Sequence, residues 1–155
     1  MAFLQSNSAV EAADTQQNRY LTFALGEEIY GIAIHHVIEI IGMLPITPLP
    51  GAPEYIKGIT NLRGKIIPVI DVRRKFKKPA AEYNERTCIV VVEVQEMTVG
   101  LIIDEVSEVL TIEENEIVPP PPLKDAHSAY ISGISGAEGK VKMLLDCAAL
   151  LYDQD

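Results

Sequence analysis

Few residues in this chain have the types and spacing that chemistry requires. His35-His36 with Glu39 place two imidazoles and a carboxylate within five positions, donors that a transition metal accepts. Neighbouring residues on a chain point apart, however, and no third ligand is specified, so the histidines read as a surface or junction pair. Cys88 and Cys147 lack a CxxC partner and sit in apolar surroundings, which makes them small reduced core residues rather than a disulfide or zinc site. Asp104-Glu105 and Glu113-Glu114-Asn115-Glu116 lack the Asp-x-Asp-x-Asp-Gly spacing of a calcium loop and read as solvated turns. There is no GxGxxG, GxxxxGK[ST] or GxSxG, and Gly133-Ile134-Ser135-Gly136 is only a turn-like fragment. No nucleophile, metal or cofactor is implied, and the pattern favours a binding module.

What remains is placed charge. In Ile59 to Arg74, ITNLRGKIIPVIDVRR, a strand leads into a tight turn at Leu62-Arg63-Gly64-Lys65 and a second strand runs from Ile66 to Ile70. Gly64 suits the positive φ of such a turn, and Ile66, Ile67, Val69 and Ile70 suit a pleated, largely buried surface. Arg63 is thereby presented from a stiff base. Glu39 follows a junction turn in the same half, and an ion pair with Arg63 across the end of the unit would orient both side chains. Such a pair contributes about 0–1 kcal/mol if exposed, whereas breaking a desolvated one costs about 3–5 kcal/mol.

The elements that position these residues follow in order. Met1 to Asn18 is a polar tail without a sustained period. Tyr20 to Leu25 and Ile29 to Ile34 form a hairpin around Gly26-Glu27-Glu28, His35-His36-Val37 makes an irregular or helical turn, and Ile38 to Met43 is a third strand. Pro45, Pro48, Pro50 and Pro53 impose a stiff extended connection. Strands from Tyr55 to Leu62 and Lys65 to Ile70 come next, and Asp71 caps a short helix through Phe76. After a polar link over Ala80 to Glu85 the pattern restarts, with strands over Thr87 to Val94, Met97 to Ile103 and Val106 to Ile112. A proline run at Pro119 to Pro122, strands over Tyr130 to Ser135 and Lys140 to Leu145, and a helix from Asp146 to Tyr152 complete it.

The restart is a repeat. At an offset of 75, YIKGITNLRGKIIPVIDVRRKF lies over YISGISGAEGKVKMLLDCAALL without a gap, with seven of 22 positions identical; chance gives about one or two. At an offset of 69, Gly31 lies over Gly100, Val37 over Val106 and Glu39 over Glu108. Two units of five short strands, poor in helix, predict an all-β pair of small barrels: a first over about residues 19–79 and a second over about 86–155. Arg63 lies over Glu138 and Arg73-Arg74 over Ala148-Ala149, so the first unit carries basic features that its copy lacks. A position that keeps its glycine and changes the neighbouring charge is tuned for a partner.

The formal net charge of −9 repels phosphate polymers and anionic membrane surfaces, which argues against nucleic-acid binding, as does the lack of interleaved aromatic and basic residues. Positive charge gathers locally at Arg63, Lys65, Arg73, Arg74, Lys75, Lys77 and Lys78, a patch suited to docking on a protein. No basic leader followed by an apolar run opens the sequence, and no apolar run approaches the roughly 20 residues of a membrane span, so a soluble, unexported protein without direct membrane insertion is expected.

From Tyr20 to Leu151 the chain resembles the CheW family of bacterial chemotaxis coupling proteins. The resemblance is carried by YLTFALGEEIYGIAIHHVIEII, ITPLPGAPEYIKGITNLRGKIIPVIDVRRKF, GLIIDEVSEVL and YISGISGAEGKVKMLLD, and PxYIxGxxNLRGxxxPVxDxR is its most specific segment. It implies two SH3-like five-stranded barrels sharing a hydrophobic core. It also implies a non-enzymatic cytoplasmic adaptor, recruited to membrane-associated arrays, that joins the cytoplasmic hairpin tip of methyl-accepting chemoreceptors to the regulatory domain of the histidine kinase CheA. Carried over by position, receptor and kinase coupling involves Val37, Glu39, Gly58 and Arg63, with Pro119 to Leu123 a further candidate for ring contacts. Gly58 can equally serve strand geometry alone, and Val37 the core.

Three rival readings stand beside this one. A detached regulatory domain, or the coupling half of a CheV-like protein, shares the fold, although no receiver domain follows Asp155. A small hydrolase or metal enzyme would use His35, His36 and Glu39. A nucleic-acid-binding barrel conflicts with the charge.

Overall fold

The computed structural model describes residues 17–121, 128–136 and 139–152. It is built almost wholly of short strands: β1 (Arg19–Leu25), β2 (Glu28–Ala33), β3 (Val37–Gly42), β4 (Ile56–Leu62), β5 (Lys65–Asp71), β6 (Cys88–Val94), β7 (Met97–Ile103), β8 (Glu105–Thr111), β9 (Ile117–Val118), β10 (Ile131–Ser135) and β11 (Lys142–Leu145). Two short helices follow the last strand of each repeat, α1 (Val72–Lys75) and α2 (Cys147–Tyr152). Asp71 caps α1 by accepting from the Arg73 N–H at 3.1 Å, and Asp146 accepts from the Ala149 N–H at 3.1 Å in the matching place.

The strands form two sheets, a six-stranded one in the order β8-β1-β2-β11-β10-β9 and a five-stranded one in the order β3-β6-β7-β5-β4. This sheet membership crosses the division of the chain at residues 79–86. The hairpin β1–β2 lies with β8 to β11 of the second repeat, and β6–β7 lies with β3, β4 and β5 of the first. The reason lies in the crossovers: after β2 the chain makes one 3₁₀ turn, Ile34–His36, and leaves its own hairpin's sheet, and the chain after β7 does the same at Asp104. Each repeat thus lends its first hairpin to the other. Parallel pairs seal the exchange, β5 with β7 and β11 with β2.

The alternation of side chains explains how β6 is buried on both faces. Val90, Val92 and Val94 join a cluster shared by both sheets that includes Leu21, Phe23, Tyr30, Ile70, Leu101, Tyr130 and Leu150. Ile89 and Val91 point the other way, into a second cluster with Ile67, Val69 and Ile102, enclosed by Ile41, Met43, Ile46 and Leu62. A chain of rings crosses the shared cluster, with centroids 5.9 Å apart for Phe23–Tyr30, 5.3 Å for Tyr30–Phe76 and 5.8 Å for Phe76–Tyr130.

The repeat is visible in detail. The Asp71 N–H donates to the Tyr55 carbonyl at 2.8 Å and the Asp146 N–H to the Tyr130 carbonyl at 2.8 Å. The register shifts between Ile56 and Gly58 in β4 and between Ile131 and Gly133 in β10. One expectation is corrected: Ile66 is 58% exposed, because it sits opposite Asn61 beside the turn, whereas Ile70, four residues on along the same face, reaches the shared cluster and Ile67 and Val69 face the second one. The candidate contact tract is described only through Pro121, where no regular element forms; Pro122 and Leu123 lie outside the described residues, as do His127 and Glu138.

Candidate functional site

The turn between β4 and β5 has φ of +52° at Arg63 and +89° at Gly64, the two positive values of a type I′ hairpin. Glycine takes its value without steric cost, and the arginine is held there by its neighbours. The Asn61 side chain accepts from the Gly64 N–H at 2.7 Å, which fixes the turn from within. That support was not singled out from the sequence, although an Asn three residues before a turn glycine is a signal for it. Arg63 then reaches across to Glu39, and the guanidinium Nη2 donates to both carboxylate oxygens. Its side chain is 69% exposed against 26% for Glu39.

The position of this pair matters more than its strength. β3 and β4 are the two edges of the five-stranded sheet, so the Glu39–Arg63 contact spans the seam between its first and last strands. The chain leaving β3 crosses the same seam further along. Thr47 and Ile59 exchange backbone hydrogen bonds of 2.8 and 2.9 Å, and the Thr60 hydroxyl donates to the Pro45 carbonyl at 2.7 Å. The exposed arginine is therefore held over a laced edge.

A register shift in β3 decides which side chains face the site. Val37 lies opposite Val92 and Glu39 opposite Val91, leaving Ile38 as the extra residue, exposed on the strand. Val37 packs half-buried against the shared cluster, and Glu39 lies on the face that carries Val91. Gly58 sits five residues along β4 from Arg63, about 16 Å for an extended chain. A Cβ there would lie 2.1 Å from the Thr47 carbonyl oxygen, and its φ is +153°. Only glycine lets the 45–47 segment lie on β4. The structure thus brings Glu39 and Arg63 together, sets Val37 beside them with its side chain toward the core, and gives Gly58 a geometric place at the other end of the seam.

The remaining candidates fall elsewhere. The His35 and His36 rings do not point apart as expected; their centroids are 4.1 Å apart at the crossover turn, because the 3₁₀ backbone rotates neighbouring side chains by less than a strand does. Desolvation, and then the neighbouring His35, hold His36 below the usual imidazole value. Among the described residues no three His, Cys, Asp or Glu side chains converge as a metal site. Burial pushes the Cys147 thiol up to about 12, with Asp146 adding to it, which leaves it in the unreactive protonated form. Among the described residues no helix is long and apolar enough to cross a membrane.

Comparison with known proteins agrees with this architecture over nearly the whole chain. Residues 19–155 match the family model described as a CheW-like domain. The chain is 36% identical over 145 residues to the chemotaxis protein CheW of Klebsiella aerogenes, covering 93% of this chain and 87% of that one. It is 35% identical over 136 residues to the chemotaxis protein CheW of Rhizobium meliloti, covering 87% and 88%. The crystal structure of the scaffolding protein TtCheW from Thermoanaerobacter tengcongensis superposes with a TM-score of 0.81 at 39% identity, covering 87% of this chain and 92% of that chain. The sheets, the laced seam and these matches agree: the chain belongs to the CheW-like domain family.

Proposed function

We propose that this chain is a non-catalytic chemotaxis adaptor that joins the cytoplasmic hairpin tips of chemoreceptors to the regulatory domain of the histidine kinase CheA. The observation that carries the proposal is Arg63, a highly exposed guanidinium held in register by Glu39 across the seam of the five-stranded sheet. In this reading the two sheets are two SH3-like barrels over one core, and Arg63 and Glu39 set the register of a docked amphipathic receptor helix. Val37 shapes the wall beside them, and Gly58 keeps the lacing segment in place. Each contact is modest, and an array gains its stability by linking many of them. The adaptor works in the cytoplasm and is recruited to membrane-associated receptor arrays.

Co-sedimentation of the chain with a receptor signalling fragment and the kinase tests this. Arg63→Ala is expected to abolish ternary assembly while leaving the circular dichroism spectrum and the unfolding midpoint nearly unchanged, since an exposed pair contributes about 0–1 kcal/mol. Assembly that survives the substitution would move the docking surface elsewhere on the molecule.

A further inference from the structure

We infer that the cleft beside α1 is a second docking site, distinct from Arg63, that accepts a carboxylate-rich peptide segment of a partner protein; this rests on the adaptor reading above. The cleft has a volume of about 560 Å³ and is lined by Arg74, Lys75, Lys77 and Lys78 together with Tyr55 and Tyr130. Tyr55 precedes β4 and Arg63 follows it, so the two places lie at opposite ends of that strand, about 20–25 Å apart.

Three observations point to carboxylates. First, the cleft already holds them within this chain: Arg74 pairs with Glu54 at 2.9 Å, and Lys78 pairs with Glu28. The Glu54 side chain is 84% exposed, so an incoming carboxylate can take its place at Arg74 with little loss. Second, Lys77 is exposed and makes no side-chain hydrogen bond or ion pair among the described residues, while Lys75 is 4% exposed with its ammonium 3.8 Å from the Tyr55 ring and 5.2 Å from the Tyr130 ring. The two ring faces stabilise that ammonium and hold it at the wall of the cleft. Third, the fold does not require these charges. At the offset of 75, Arg74, Lys75 and Lys77 lie over Ala149, Leu150 and Tyr152, and α2 packs its own copy of the helix with Leu150 buried at the position of Lys75. Cations gathered where the duplicate uses apolar residues, on a body of net charge −9, are a local attraction that the rest of the surface opposes.

A fluorescein-labelled hexaglutamate peptide, titrated with the whole chain at low ionic strength and followed by anisotropy, tests the inference. Saturable binding is expected, weakened at least tenfold by Arg74→Gln with Lys77→Gln, and unchanged by Arg63→Ala. Lys75→Leu, which installs the residue of the duplicate, is expected to keep or raise the unfolding midpoint while lowering affinity, and so separates loss of the site from loss of the fold. Binding that is indifferent to all three cleft substitutions, or absent in the unaltered chain, would overturn the proposal. So would tripolyphosphate displacing the peptide at concentrations where hexaglutamate itself does not compete, since the cleft would then be a site for small phosphorylated anions. Ternary assembly that survives Arg63→Ala with peptide binding intact would count against the adaptor reading alone, and loss of assembly on Arg63→Ala with no peptide binding in the unaltered chain would count against this site alone.

Discussion

The hairpins β4–β5 and β10–β11 are copies that have been put to different uses. Both carry the same register shift before a glycine, both end in an aspartate whose N–H donates to a tyrosine carbonyl and whose side chain caps a short helix, and both lie against a segment that continues from the far edge of their sheet. They differ in charge. The first presents Arg63 over Glu39 and follows with a cationic helix, whereas the second has glutamates in both matching positions, Glu138 and Glu108, and an apolar helix. Backbone geometry is what the fold needs twice; the basic residues occur once.

The strongest way to break the comparison is to separate the copies. Because each repeat lends its first hairpin to the other's sheet, residues 19–79 and 86–155 made as separate chains are each expected to be unfolded, and to recover a sheet signal in circular dichroism only when mixed. A folded, monomeric half would mean that the hairpins can return to their own repeat.

The two bulge glycines sharpen it next. At Gly58 an added Cβ meets a backbone oxygen at 2.1 Å, whereas at Gly133 the nearest atom is Cγ2 of the Ile117 side chain at 2.4 Å, which can turn away. Gly58→Ala should therefore cost about 4 kcal/mol, combining strain with overpacking, and Gly133→Ala about 1–2 kcal/mol. Urea unfolding of the two variants decides, and equal losses would show that the seams are laced alike.

The crossovers between sheets form a third pair. At the one after β7, Arg73 donates from Nε and Nη2 to the two oxygens of Asp104 at 2.8 and 2.6 Å, and Asp104 also accepts from the Gly26 N–H at 2.7 Å. By the offset of 69 the counterpart of Asp104 is His35, so the other crossover has a histidine pair in place of an ionic latch. Arg73→Ala is expected to cost about 2 kcal/mol, the scale of a charge-assisted pair. The hydrogen bond from Arg73 holds the Asp104 carboxyl below its ordinary value. Its stabilisation is therefore complete above about pH 4 and is lost as the pH falls through the lowered value.

The smallest effect sits at the histidines. The folded state disfavours protonated His36, which faces His35, the Glu93 backbone and Asp146. Stability should therefore fall as the pH drops below about 6.5, and His36→Gln should flatten that slope without touching the one near pH 4. Thermal melts between pH 5 and 7.5 measure it.

Much of this was legible in the residues. Alternation and turn glycines placed ten strands within a residue or two but missed the two-residue β9, and the repeat offset of 75 aligned Tyr55 with Tyr130 and Asp71 with Asp146, pairs that make matching backbone bonds. The Glu39–Arg63 partnership was also within reach, since a turn residue and a strand residue of opposite charge lay in one unit. Sheet membership was not, because local pattern says that a hairpin exists without saying which repeat receives it. Nor could side-chain alternation alone expose Ile66, as it shares its face of β5 with the buried Ile70 and differs in lying at the turn end of the strand. The latch was hidden for a similar reason: Arg73 and Asp104 are 31 positions apart and meet only because the chain crosses between sheets.

The reciprocal loan of hairpins has a mechanical consequence. Pulling one repeat away from the other would break the pairings of four hairpin strands, two parallel ladders among them, so the two repeats cannot part without the loss of both sheets. A chain interlocked in this way takes a load as one piece.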